Sequence, residues 1–428
     1  SAVTLDNTAG VTLDITGFAT QIGSLTGGGA TGGNVTLGAA TLSVGGDNTS
    51  PAAYAGVISG AGAVTKIGTG TLTLSGDNSY SGLTTISAGT LKLGANGGAT
   101  NTPLGTVAAG TIVSAGAALD LNGFTLGTAE ALTLNGTGIS NGGALTNSAA
   151  GASTYSGLIT LGSASSIVAS SGDIIISNPG TISGAGFGLT LAGTSAASSI
   201  ASIIGTTTGT LTKAGSGTWT LSGANTYTGV TAVDAGTLIL SGGAAIADAG
   251  VIRMASGTTL DLTGSSEAIG LLSNNTAGGT VTSSAGGAVT LTTGVEANST
   301  FAGVIQDGSG TVALTKQGSG VFTLSGANTF SDGLTIKAGT VLGTSVAANA
   351  FGTGTITLGD SAGGSNAATL LVGTTGLTYA NAIALAPLTT GTLSIGNSGN
   401  IAALTFSGGV TGTNDLTINN TSTGASTI

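Results

Sequence analysis

One stretch of sequence recurs three times in this 428-residue chain, and its spacing excludes most folds open to a chain of that length. The first copy runs Val64-Thr65-Lys66-Ile67-Gly68-Thr69-Gly70-Thr71-Leu72-Thr73-Leu74-Ser75-Gly76-Asp77-Asn78-Ser79-Tyr80 and closes on Ala88-Gly89-Thr90-Leu91. The second starts at Leu211-Thr212-Lys213, passes Asn225 and Tyr227, and closes on Ala235-Gly236-Thr237-Leu238. The third starts at Leu314-Thr315-Lys316 and closes on Ala338-Gly339-Thr340-Val341. In every copy the lysine precedes the closing glycine by 23 positions and the asparagine by 12. Repetition of this kind points to stacked units rather than to one globular core.

Within each copy apolar and polar residues alternate strictly, as in Thr71-Leu72-Thr73-Leu74 and Thr90-Leu91-Lys92-Leu93. Period two with threonine on the other face is the pattern of a strand buried on one side. Glycine and asparagine follow each run, as in Gly76-Asp77-Asn78, and supply corners. Matching apolar positions lie 19 residues apart: Leu72 and Leu91, Trp219 and Leu238, Phe322 and Val341. That offset is too short for two packed helices and suits one coil of a β-solenoid, whose coils stack at about 4.8 Å. The expectation is an all-β parallel β-helix of roughly 20 coils of about 20 residues, a rod of roughly 100 Å. Residues 1–428 are expected to form a single continuous solenoid, with clear copies at 53–94, 200–240 and 301–342. Weaker lines such as Ala131-Leu132-Thr133-Leu134 and Thr355-Ile356-Thr357-Leu358 carry the pattern between them. Only 345–350 and 380–386 could form a helical turn or two, and 141–182 is the irregular stretch expected to supply loops.

Composition agrees with a thin, continuous core. Charged residues are 5% of the chain, against about 25% in ordinary domains. Glycine accounts for 81 residues and proline for only four. Hydrophobic residues make up 40% and mean hydropathy is +0.49, too apolar for a disordered chain. The net charge of −10 arises from six basic and sixteen acidic residues. The scattered cations Lys66, Lys92, Lys213, Arg253, Lys316 and Lys337 form no patch for phosphates, so no nucleic-acid partner is expected. Cysteine is absent, which excludes disulfides and thiolate metal sites. No apolar run approaches the ~18 residues of a spanning helix, so no transmembrane segment is expected. Ser1-Ala2-Val3-Thr4-Leu5 has no signal-peptide character, and Thr427-Ile428 stops in mid-pattern, so the sequence reads as part of a longer chain.

The string Leu-Thr-Lys-x-Gly-x-Gly-Thr, then Leu-Ser-Gly-x-Asn-Thr-Tyr-Thr-Gly and Ala-Gly-Thr-Leu, resembles the autotransporter-associated β-strand repeat, also called the passenger-associated transport repeat. Residues 211–229 with 235–238 fit it best, with Trp219 in place of a leucine; residues 64–94 and 314–342 fit with small variations. The resemblance covers about a quarter of the chain. It implies a right-handed parallel β-helix in a large secreted bacterial surface protein, located outside the cell or on its surface. Such repeats assist a passenger as it folds on emerging through an outer-membrane barrel. No barrel is present here, and Leu416-Thr417-Ile418-Asn419-Asn420 still reads as solenoid.

Candidate chemistry is sparse. Histidine is absent, no two carboxylates are adjacent and no Asp-x-Asp occurs, which argues against acid–base catalysis and polysaccharide cleavage. No catalytic, cofactor or metal residue is therefore assigned. Gly45-Gly46-Asp47, the nearest approach to a calcium-binding nonapeptide, lacks tandem repetition and reads as a turn. Gly60-Ala61-Gly62 and Gly184-Ala185-Gly186 read as corners. Lys66, Lys213 and Lys316 are expected on the solvated rim or as edge gatekeepers. Asn78, Asn225 and Asn328 should bond backbone groups in the turn, helped by the tolerance of asparagine for left-handed backbone. Tyr80, Tyr227 and Phe330 read as packing rather than a sugar-binding cluster, and Trp219 as core. A charge-poor β-rod with open strand edges points to a non-enzymatic stalk, fibre or coat whose partners are copies of itself. The alternative is an adhesin passenger with a surface or host ligand; a polysaccharide-active enzyme is a distant third.

Overall fold

Alternation decides the architecture. The computed structural model describes residues 1–275, 277–294, 296–399 and 405–419, and it divides into two compact units, Ser1–Tyr227 and Thr228–Ile428. In the first unit one sheet passes through strands Val64–Lys66, Thr84–Ile86, Thr111–Val113, Leu132–Gly136, Ile159–Ala169, Leu189–Gly193 and Leu211–Lys213, each parallel to the next. Parallel neighbours cannot be joined by a tight hairpin, so the chain travels a whole rung between them. Leu72 faces Leu91 across adjacent strands, 19 residues apart as the periodicity requires. The second unit repeats the scheme. Its first sheet passes through Glu267–Ile269, Ala288–Thr293, Thr311–Lys316, Leu334–Ile336, Ile356–Leu358, Ile383–Leu385 and Val410–Thr411. Its second passes through Ser299–Phe301, Val321–Leu324, Gly339–Gly343, Ala368–Val372, Leu393–Asn397 and Leu416–Asn419. Phe322 faces Val341 at the expected offset. The chain is an all-β solenoid.

The core is a set of inward ladders. Val64, Ile86, Val113 and Leu134 are buried in the first unit, and Leu314, Leu334, Ile356 and Ile383 in the second. Each such side chain contributes about 2 kcal/mol by leaving water. Threonines occupy the outward phase, so Thr65 stands beside Thr85, Thr315 beside Thr335, and Thr335 beside Thr357. Trp219 is buried as expected and donates its indole N–H to the Ala192 carbonyl at 3.1 Å. Phe351, Tyr379 and Phe406 stack in the second unit, with centroids 5.0 and 5.3 Å apart.

The structure corrects two readings of local sequence. Residues 141–182 are not a loop reservoir: they hold strands Leu145–Thr146, Ser153–Tyr155, Ile159–Ala169, Ile174–Ile176 and Thr181–Ile182. The longest, Ile159–Ala169, pairs with Leu132–Gly136 across a register shift, and its second half pairs with Leu189–Gly193. Inward serines, Ser165 among them, conceal its alternation in the sequence. The stretch 380–386 contains strand Ile383–Leu385 instead of a helical turn, and 345–350 holds bends and turns. Helical structure among the described residues is confined to the 3-10 turn Ile139–Asn141. Leu416–Asn419 continues the solenoid as expected, while Asn420 and Thr427-Ile428 lie outside the described residues.

Candidate functional site

The repeat residues build two corners of a rung: the lysine and the closing glycine meet at one, and the asparagine and the aromatic residue stand at another, beyond strand Thr71–Leu74. Lys66 ends strand Val64–Lys66 in the same phase as Val64, so its side chain points inward. It is 1% exposed, and its Nζ donates to the carbonyls of Ile67 (2.6 Å), Gly68 (2.8 Å) and Ala88 (3.1 Å). Lys316 repeats the arrangement with Gln317 (2.7 Å), Gly318 (2.6 Å) and Ala338 (3.3 Å). Lys213, also buried, donates to Ala214 (3.0 Å) and Gly215 (2.8 Å). The expectation of a solvated rim is therefore wrong for all three. An ammonium group carries three protons, and a corner where carbonyls converge supplies the acceptors a buried cation requires. Ala88 and Ala338 lie 22 residues beyond their lysines, so Lys66 and Lys316 each tie one rung to the next. Burial lowers the pKa of each lysine to about 8, which leaves the ammonium form dominant at neutral pH.

The closing glycine belongs to the same corner. Gly89 has φ of +67°, and a Cβ there would run into the Gly70 carbonyl and lie 2.7 Å from Lys66 Nζ. Gly339, at φ +71°, meets the Gly318 carbonyl in the same way. Only glycine satisfies both the left-handed backbone and the close approach.

The asparagines behave as expected in their bonding. Asn78 Oδ1 accepts from Ile58 N at 2.8 Å and its Nδ2 donates to Pro103 O at 2.7 Å. Asn328 does the same with Ile305 N (2.8 Å) and Ala350 O (2.6 Å), and Asn225 Oδ1 accepts from Ile204 N at 2.7 Å. Left-handed backbone is not their reason: the asparagines with positive φ are Asn48, Asn122 and Asn141. Tyr80, Tyr227 and Phe330 are buried, in line with packing. The tyrosine hydroxyl nevertheless has a partner, since Tyr80 Oη lies 2.7 Å from Thr84 Oγ1, which donates to Leu104 O at 2.9 Å. Copy two has Thr231 at the equivalent place, whereas copy three pairs Phe330 with Leu334.

A second recurring corner escaped the reading of the sequence. Leu13-Asp14-Ile15-Thr16-Gly17, Leu119-Asp120-Leu121-Asn122-Gly123 and Leu260-Asp261-Leu262-Thr263-Gly264 share one pattern, which was the available signal. Asp120 Oδ1 accepts from Asn122 N (2.9 Å) and from Ser148 N (3.0 Å) on the next rung. Asp261 Oδ1 accepts likewise from Thr263 N and Ser284 N, both at 2.9 Å, and Asp14 from Thr16 N at 2.9 Å. Asp47 takes the turn role expected of it, accepting from Thr49 N at 3.1 Å. Gly60, Gly184 and Gly186 have positive φ, consistent with corners.

Two ion pairs occur among the described residues, Lys92–Asp120 at 3.6 Å and Lys337–Asp360 at 3.3 Å. No three His, Cys, Asp or Glu side chains converge there on a point that could hold a metal ion. A groove of about 440 Å³, open to solvent, is lined by Glu296, Ser319, Thr340, Asn366 and backbone of the Lys316 corner. It brings one carboxylate and no cation. No helix among the described residues is long and apolar enough to cross a membrane.

Comparison with known proteins agrees with this geometry. The passenger-associated-transport-repeat family model matches residues 64–93, 211–240 and 314–342, the three segments that build the lysine corners. Over 92 residues the chain is 45% identical to a protein of Brucella suis biovar 1 (strain 1330) named adhesin BmaC autotransporter. That match covers 21% of this chain and 3% of the relative. No solved structure matches the chain.

Proposed function

We propose that this chain, similar in three segments to the passenger-associated-transport-repeat family and over 92 residues to an autotransporter adhesin, is a non-catalytic stalk segment of a bacterial surface protein. One observation carries this reading: the recurring repeat residues that could meet a ligand are used inside the fold. Lys66, Lys213 and Lys316 donate to their own backbone, and the recurring asparagines and aspartates close corners. The outward phase is held mainly by threonine and serine, with a few scattered cations such as Lys92 and Arg253. Such a surface has little charge to keep copies apart, so lateral association with further copies of the chain is part of the proposal.

The test is to display the 428-residue chain on a non-adherent bacterium and as purified protein. A stalk gives no binding to host matrix or glycan surfaces, no turnover of acidic polysaccharides, and concentration-dependent association in sedimentation and electron microscopy. Attachment by the isolated chain would contradict it and favour a second reading, in which this segment carries the adhesive surface itself. The open groove beside Glu296 and Asn366 is the observation that favours that alternative. Dispersed monomers at high concentration would remove the self-association part alone.

A further inference from the structure

In the first unit one rung is longer than its neighbour. Val64 faces Thr84, 20 positions on, whereas Thr84 faces Thr111, 27 positions on. The longer rung contains Asn101–Thr102 paired antiparallel with Gly105–Thr106, a small hairpin in a parallel fold. The hairpin is clipped to the repeat corner by Asn78 Nδ2 on Pro103 O (2.7 Å), Thr84 Oγ1 on Leu104 O (2.9 Å) and Thr106 N on Tyr80 O (2.9 Å).

Against this hairpin lies Glu130, with no exposed surface. Thr111 Oγ1 donates to its Oε1 at 2.5 Å. Its Oε2 is 3.4 Å from Thr102 Oγ1, which accepts from Leu104 N at 2.9 Å and lies 3.0 Å from the Gly105 carbonyl. A threonine hydroxyl has one proton, and the nearer acceptor is Gly105. With the proton there, a carboxylate would turn Oε2 toward a lone pair, whereas a carboxylic acid donates its own proton to Thr102. The titratable groups facing Glu130 are Tyr80 and Tyr155, the latter donating its hydroxyl to the Glu130 main-chain carbonyl at 2.7 Å. Both phenols are held well above their usual range, first by burial and then by Glu130 itself, so they stay neutral. Neither ion pair among the described residues includes Glu130.

We propose that Glu130 sits in the fold as a neutral acid whose proton holds Thr102, and that its ionisation releases the 101–106 hairpin, making an acid-closed latch on the first repeat corner. Burial raises the carboxyl to about 7, from 4.5 in an open chain. The closed state therefore binds the extra proton between those values. Its advantage is complete below pH 4.5 and is lost as pH rises to about 7.

Amide hydrogen exchange of the whole chain, corrected for the intrinsic rate at each pH, tests the latch. Exchange across 101–106 is expected to quicken by up to about tenfold per pH unit between pH 5 and 7 and to level off above. Glu130→Gln keeps a donor for Thr102 and an acceptor for Thr111, so its exchange should show no such slope. A flat wild-type profile, or the same slope in the variant, would overturn the proposal. The wild-type chain provides a check that needs no variant. It has three glutamates, and 13C-carboxyl NMR should show the one nearest Thr111 titrating near neutrality; titration of that group near 4.5 would equally overturn the latch.

Discussion

The first and third copies of the repeat share one corner and build the next with different side chains. Both keep the inward lysine, the glycine at positive φ and the asparagine that bridges rungs. They differ at the aromatic position and four residues later, where Tyr80 and Thr84 correspond to Phe330 and Leu334. The hydroxyls come together and leave together. Backbone carbonyls at the corner are present whatever the sequence, so the donor that satisfies them cannot be exchanged for an apolar group. The Tyr80 and Thr84 hydroxyls satisfy each other and one carbonyl of the neighbouring hairpin, Leu104 O, so both can be replaced together with little left behind. The comparison separates polar groups that both copies keep from a polar pair that one copy does without.

The severest way to break the shared part is Gly89→Ala or Gly339→Ala. Each puts a Cβ onto a backbone carbonyl at a left-handed residue, and a loss of roughly 4 kcal/mol is expected in either copy by urea denaturation. Lys66→Met and Lys316→Met follow, at about 3 kcal/mol each, because three carbonyls lose a charged donor. Equal losses in the two copies are the point, since the corner is the same. A much smaller loss in one would separate them.

The differing positions should show coupling. Thr84→Leu alone strands the Tyr80 hydroxyl in the core and should cost about 2 kcal/mol. Adding Tyr80→Phe, which recreates the third copy's solution, should recover at least half of that loss. In the third copy Phe330→Tyr alone should cost about 1 kcal/mol for its unpaired hydroxyl. Additive effects in the first copy would mean that the pair is not a unit.

The most gradual effect is one of pH. The folded lysines titrate near 8 and unfolded ones near 10.5, so the unfolded chain binds more protons in between. Stability should rise with pH across that window, with a slope for each lysine that stays below the one-proton limit of about 1.4 kcal/mol per unit. Lys66→Met and Lys316→Met should each remove a similar share.

Much of this was legible in the sequence. Strict alternation in Thr71–Leu74 marks strands directly, and the 19-residue offset between Leu72 and Leu91 is the register itself. For the lysines residue type and phase disagree: charge points to the rim, and phase points inward. Val64-Thr65-Lys66 alternates with lysine on the inward side, and that phase was the better guide. The aspartate corner was legible in three copies of one pattern. Glu130 was not: its partners Thr102 and Thr111 lie 28 and 19 residues away, and the hairpin that covers it has no repeat to announce it.

The central claim is that the repeat's lysines are parts of the fold and not of a binding surface. Amine acylation of the native chain at pH 8, read residue by residue by mass spectrometry, tests it directly. Lys92 and Lys337, with side chains 31% and 39% exposed, should react readily, while Lys66, Lys213 and Lys316 should remain protected until the chain is unfolded. Acylation of the three repeat lysines at the rate of Lys92 and Lys337 would contradict the account.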